Sequence, residues 1–283
     1  MNRTDSDTID APAPDHRALV AACEAGTALC TIVGIDGAFS RRRGAQLAVR
    51  ADGEIVGDLA DTCLEEQLRT DVRTIEAPEL RRYGKGSDKI DFRLPCGGGL
   101  DILLDPTPDV GACRRAVAAL KDRRPAALDL PVPPLRSRAY VPALQVRIFG
   151  TGPEAEILNR LAESLDIATT LLTKDALALH QPSRLPPADR WTACVFLFHD
   201  HEWELALLEE ATESEAFYIG AQGGVRARSD RIVELERRGL SAEAIGRIRS
   251  PIGVVESCRT PRLLALSALT EILADYDAMH DGD

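Results

Sequence analysis

The chain has 283 residues, of which 45% are apolar, 28% charged and only 4% aromatic, and it carries a formal net charge of −11. That length buries a sizeable core and divides naturally into two domains. The acidity argues against binding along a phosphate backbone, the scarcity of aromatics argues against a stacking platform for single strands, and no apolar run reaches the length of a membrane span, so neither a nucleic-acid nor a membrane partner is expected.

The first residues, "MNRTDSDTIDAPAPD", are polar and acidic. They lack the apolar centre of a secretory leader, and residues 1–14 read as a disordered lead-in. The seven cysteines (23, 30, 63, 96, 113, 194 and 258) are scattered and contain no CxxC pair. Free thiols in a reducing cytoplasm are therefore expected rather than a zinc ribbon.

Residues 15–122 read as an α+β domain. "HRALVAACEAG" is a short helix closed by Gly26. Apolar runs follow in "TALCTIVGIDG", "GAQLAVRADGEIVGDL" and "DKIDFRLPCGGGLDILLD". The Asp-Gly in "ADGE" marks a hairpin between two of the strands. "CLEEQLRTDVRTIEA" sets Leu64, Leu68, Val72 and Ile75 on one helical stripe, and "DVGACRRAVAALKDRR" is a second helix. The sheet is expected to be antiparallel or mixed. Residues 123–143 contain Pro125, Pro131, Pro133, Pro134 and Pro142, a stiff stretch that reads as the interdomain linker.

Over residues 144–283 strands alternate with helices: "LQVRIFG", "PEAEILNRLAESL", "IATTLLT", "WTACVFLF", "EWELALLEEAT", "AFYIGA", "SDRIVELERRGL" and "TPRLLALSALTEILADYDAM". Pro153 suits a first helical turn, and Thr260 with Pro261 suits a helix start. Such alternation predicts a doubly wound parallel sheet.

Five segments carry chemistry. "FGTGPEA" places Gly150, Gly152 and Ala155 directly after a strand and into a helix, the setting of a dinucleotide-binding turn. The partner of that turn is an acid at the end of the second strand, where Thr173 and Lys174 stand instead and Asp175 comes late. This leaves no nucleotide, a phosphorylated ribose met by Lys174, or another ligand. "VFLFHDHEWE" ends the third strand with His199 and His201 two apart; on extended backbone they face one side, as metal ligands or as hydrogen-bonded strand-edge histidines. In the first half, "GAFSRRRGAQ" sets Ser40, Arg41, Arg42 and Arg43 in a turn. This is either a solvated face or a phosphate clamp. Cys63 starts a helix, and Cys96 with Gly97 and Gly98 opens a glycine turn; each thiol is either core or ligand-facing.

Together these segments resemble the XdhC/CoxI family of accessory proteins for molybdenum hydroxylases. The resemblance runs through "GAFSRRRGAQLAVRADGEIVGDL", "CLE", "CGGGLDILLDP", "IFGTGPEA", "FHDHEWELALL", "AFYIGAQGGVRARSDRIVELERRGL" and "RIRSPIGVVESCRTPRLLALSALTEILA". It implies an α/β protein with an N-terminal α+β XdhC-type domain and a C-terminal Rossmann-like doubly wound domain. It implies binding of the molybdenum cofactor, a molybdopterin with a terminal phosphate, without turnover. It further implies protection of that cofactor during sulfuration by a cysteine desulfurase, delivery to an apo molybdenum hydroxylase such as xanthine dehydrogenase, and a homodimer. The residues expected at the cofactor are Ser40, Arg41, Arg42, Arg43, Cys63, Cys96, Gly97, Gly98, Gly150, Gly152, His199 and His201. The sequence departs from the family in Asp61-Thr62 before Cys63, in Phe198 before the His-Asp-His, and in "GGVRAR". The competing reading is an NAD(P)-dependent oxidoreductase built on Gly150, Gly152 and Ala155.

Overall fold

A computed structural model describes residues 12–87, 94 and 97–280. The chain forms two compact units, residues 1–142 and 143–283.

In the first unit, β1 (Ala28–Asp36), β2 (Gln46–Val49), β3 (Ile55–Gly57), β4 (Glu79–Gly84) and β5 (Gly99–Asp105) form one sheet in the order β3-β2-β1-β5-β4. Every pairing is antiparallel. Both faces of the sheet are covered. Alternation along β1 sends Cys30 and Ile32 toward Leu64, Leu68 and Val72 of α2 (Thr62–Val72). Leu29 packs the other way, with Leu19 of α1 (Arg17–Ala21) and with Cys113, Ala116 and Leu120 of α3 (Val110–Lys121). Asp61 and Asp109 cap α2 and α3 by accepting from the backbone N–H groups of Leu64 and Ala112.

The proline-rich stretch is not a free linker. Its residues pair as β6 (Ala126–Asp129) with β7 (Ser137–Tyr140), an antiparallel ribbon that belongs to the first unit. Leu128 and Tyr140 join the α1/α3 core. The Tyr140 hydroxyl donates to Gln46, whose amide donates to Thr31 Oγ1 at 2.9 Å. Arg138, itself buried, donates to the Gly44 carbonyl at 2.7 Å and pairs with Asp15 at 2.6 Å. The prolines flank the strands rather than occupy them, which a two-stranded ribbon tolerates. Of the expected lead-in, residues 1–11 lie outside the described residues, and Pro14–His16 form a 3₁₀ turn.

The second unit is doubly wound. Strands β8 (Gln145–Gly150), β9 (Ala168–Leu172), β10 (Thr192–Leu197), β11 (Tyr218–Ala221) and β12 (Ile248–Arg249) run parallel in the order β12-β11-β10-β8-β9. On one face Val146, Ile148 and Val195 pack against α4 (Pro153–Ser164) and α8 (Pro261–Ala278). On the other, Phe149, Cys194 and Phe196 pack against α5 (Leu205–Glu213) and α6 (Val225–Arg237). A short α7 (Ala242–Gly246) follows α6. Because β9 and β10 flank β8 on opposite sides, the chain reverses direction at β8/β10 and a crevice opens above that pair.

His16 is buried, and its Nε2 donates to the Val141 carbonyl at 2.9 Å. Burial holds its pKa below the ordinary 6.5. The unfolded chain therefore takes up a proton that the folded one resists: the stability contributed here is present above about pH 6.5 and is lost as the pH falls toward the lower folded value. A His16→Gln variant keeps a donor to Val141 and should lose less stability between pH 7.5 and pH 5.5 than the native chain. Urea titration with hydrogen exchange read on β1 checks this.

Candidate functional site

Antiparallel pairing decides which loops of the first domain meet. Asp36 at the end of β1 lies opposite Gly99 at the start of β5, Gly99 lies opposite Gly84 at the end of β4, and Gln46 at the start of β2 lies opposite Thr31. The segments after β1, after β3 and before β5 thus emerge from one end of the sheet. They carry Ser40 to Arg43, Cys63, and Gly97 with Gly98. A Cβ built on Gly37 would touch Gly98 at 3.5 Å, so the arginine turn starts against the glycine turn. Arg41 also pairs with Asp58 at 2.6 Å, which ties the arginine turn to the loop leading into α2.

Within that cluster the roles differ. Arg41 is committed to Asp58, and Arg42 pairs with Asp15 at 3.2 Å, beside Arg138. Of the triplet Arg43 is exposed, as is Ser40, so an arginine clamp open to a ligand narrows to Arg43. Cys63 is exposed in the first turn of α2. Cys96 lies outside the described residues. Three other thiols are core: burial pushes the Cys113 pKa up to about 11 and that of Cys194 up to about 12, and raises Cys30 as well. These are protonated fillers rather than nucleophiles.

In the second domain a cleft of about 780 Å³ lies above β8, β10 and β11. It is lined by Glu154, His199, His201, the Gln222–Val225 turn and the loop from Pro251 to Pro261. Gly150 lets β8 approach β10, since a Cβ there would sit 2.8 Å from the Leu197 carbonyl oxygen. Gly152 turns the chain into α4 at φ +102°, a conformation that favours glycine. The fingerprint turn is therefore formed as expected.

A carboxylate stands at its pyrophosphate seat. Glu154, in the first turn of α4, folds its carboxylate over the turn, with Oε2 3.6 Å from a Cβ built on Gly152. Oε2 is shut away from solvent without a hydrogen-bond partner among the described residues. Its neighbour is His199 Nε2 at 3.7 Å, beyond hydrogen-bond reach. An unmet buried acceptor costs about 1–3 kcal/mol, more when charged. Nor does β9 end on an acid: it stops at Leu172, and Asp175 is exposed in the next turn. Lys174 is engaged with Asp200 Oδ2 at 3.3 Å and with the face of Trp203.

The two histidines both line the cleft but meet different partners, and not through strand alternation. β10 stops at Leu197, and Asp200 caps a 3₁₀ turn beginning at His201 by accepting from the Glu202 N–H. The backbone is no longer extended there, so the alternation expected of a strand is lost. His199 points toward Glu154, and His201 Nδ1 meets Glu204 at 3.0 Å. Among the described residues no three His, Cys, Asp or Glu side chains group as metal donors.

Beneath the cleft lies a network that the periodicity of the sequence did not announce. Glu204 is fully buried, and its Oε1 receives Arg231 Nε at 2.7 Å as well as His201. Burial raises the Glu204 pKa against the opposing pull of Arg231. Arg231 further donates to Ser250 Oγ at 3.0 Å and to the Gln222 carbonyl at 2.8 Å. One guanidinium thus ties α6 to the segments following β10, β11 and β12. The available signal was Arg231 standing four residues before Leu235 on the buried stripe of α6. For Glu154 it was an acid inside the G-x-G-x-x-A turn.

These features define a two-unit α/β protein: an antiparallel α+β domain, and a doubly wound Rossmann-like domain whose nucleotide turn is retained with a carboxylate set beside it. The profile of the XdhC and CoxI family matches residues 22–84, and that of the XdhC Rossmann domain matches residues 146–272. The molybdenum cofactor insertion chaperone PaoD of Escherichia coli (strain K12) is 31% identical over 289 residues, spanning 91% of this chain and 88% of its own. The chain belongs to the XdhC/CoxI family. Its fold is also that of a Bacillus halodurans protein whose crystal structure is described as a xanthine dehydrogenase, with a TM-score of 0.71 at 17% identity over 94% of this chain and 96% of the other.

Removing one member of a buried ion pair strands the other charge. Arg231→Met should destabilise the second domain by about 3–5 kcal/mol, and Arg231→Met with Glu204→Leu should recover most of that loss. Both tryptophans, Trp191 and Trp203, lie in this domain, so fluorescence-detected urea unfolding reads it directly.

Proposed function

We propose that the protein is a molybdenum-cofactor chaperone. It binds the molybdopterin cofactor as cargo and shields it while a cysteine desulfurase supplies the terminal sulfur. It then inserts the cofactor into an apo molybdenum hydroxylase of the xanthine dehydrogenase type. The observation that carries this is the likeness to PaoD across both domains. In this reading the protein is an accessory that holds and hands over its cargo without catalysing a reaction on it, as a homodimer in the cytoplasm.

The first domain supports the reading by collecting Ser40, Arg43, Cys63, Gly97 and Gly98 at one end of its sheet. In this reading Arg43 meets the terminal phosphate, since a guanidinium fork matches phosphate oxygens. The exposed thiol of Cys63 faces the metal-bearing end. An NAD(P)-dependent oxidoreductase is not favoured, because Glu154 stands at the pyrophosphate seat and β9 ends without a ribose-binding acid.

The test is composition. Protein purified from a host that makes the cofactor should carry pterin and molybdenum, and protein from a host unable to make molybdopterin should carry neither. Arg43→Glu should cut bound pterin by about tenfold or more, the value of one charge-assisted contact. Its urea midpoint should correspond to a change within about 0.5 kcal/mol. Equal pterin content in the native and variant proteins would remove Arg43 from the site. Absence of pterin from both preparations would end the carrier reading.

A further inference from the structure

We propose that the crossover cleft of the second domain binds a flat heterocycle presenting two adjacent N–H donors, the 2-amino-4-oxopyrimidine edge shared by pterins and guanine, and that Glu154 receives that edge. The pterin source rests on the carrier reading above; the guanine source does not.

The inference starts from a mismatch. The backbone keeps the tight glycine turn and the close β8–β10 approach that elsewhere admit a phosphate, yet this chain sets a carboxylate there. That carboxylate repels a phosphate and calls for donors. It lines the cleft, one of its oxygens is closed off without a hydrogen-bond partner, and its histidine neighbour stands 3.7 Å away. The cleft, about 780 Å³, falls in the range of nucleotide-sized sites. Its remaining wall is largely apolar, with Phe198, Ile252, Val255 and Leu264 among its lining residues. A flat ring fits such walls. Two parallel N–H groups match the two oxygens of a carboxylate as a fork once the Glu154 side chain turns its closed-off oxygen into the cleft, which a single ammonium does not. Adenine and a 2,4-dioxopteridine lack this pair of donors, so the cleft should discriminate by hydrogen-bond pattern rather than by shape.

The experiment uses the full chain from a host unable to make molybdopterin, titrated calorimetrically with four probes. These are 6-hydroxymethylpterin and guanosine as ligands, with lumazine and adenosine as controls lacking the donor pair. The native protein should bind the pterin, the guanine nucleoside or both, and which of them binds names the source. Lumazine and adenosine should bind at least about tenfold more weakly. Glu154→Gln should lose about tenfold or more for the bound probe, and Glu154→Asp, which keeps the charge, should lose less. Equal affinity for lumazine overturns the proposal in the native protein alone, whatever the variants do. Binding unchanged by Glu154→Gln overturns it, as does failure of both ligands to bind. Cofactor retained by the protein with no probe binding in this cleft would sink this inference and leave the carrier reading. Guanine binding with no cofactor retained would do the reverse.

Discussion

The buried pair of Glu204 and Arg231 is the interaction on which the second domain's cleft depends. A parallel sheet holds its strands by backbone bonds, but the segments beyond the strand ends have no such tie. Here one guanidinium supplies it, reaching Glu204 after β10, the Gln222 carbonyl after β11 and Ser250 after β12. Because Arg231 is anchored on α6, the floor of the cleft is tied to the helix beside it. Burial of two charges is costly unless their geometry and additional bonds offset it, and three of the arginine's nitrogens find acceptors.

The first domain uses the same device in another place. Arg138, buried on β7, binds the Gly44 carbonyl and Asp15, and Asp15 also holds Arg42. The arginine turn is therefore braced from behind by a ribbon nearly a hundred residues later in the chain. This bracing separates the triplet into two arginines that shape the turn and one, Arg43, that is exposed. In both domains an internal arginine fixes the loops, and the residues left to meet a ligand are few.

The family and the layering were legible in the residues. Alternation in β1, the stripe of Leu64, Leu68 and Val72, and the strand-to-helix step at Gly150 each encode a local period or turn that survives folding. The extended backbone expected under the histidine pair is absent, because a period of two holds only while the strand lasts and β10 stops at Leu197, although both rings line the cleft. The proline-rich segment misled for a related reason. Composition reports stiffness, whereas Leu128, Arg138 and Tyr140 on its strands supply the burial that makes it part of a core.

By itself the sequence determined the main strands and helices of both domains, the parallel sheet of the second, the glycine turn into α4 and the lack of a ribose-binding acid, because each is set by residues near one another in the chain. Only the tertiary structure decided that Glu154 sets a buried oxygen beside the glycine turn, that Arg41 and Arg42 are already paired, and that Glu204 and Arg231 meet beneath the cleft. For the charged groups among these the deciding quantities are burial and the approach of a partner distant in the chain, and neither has a period that a linear sequence can display.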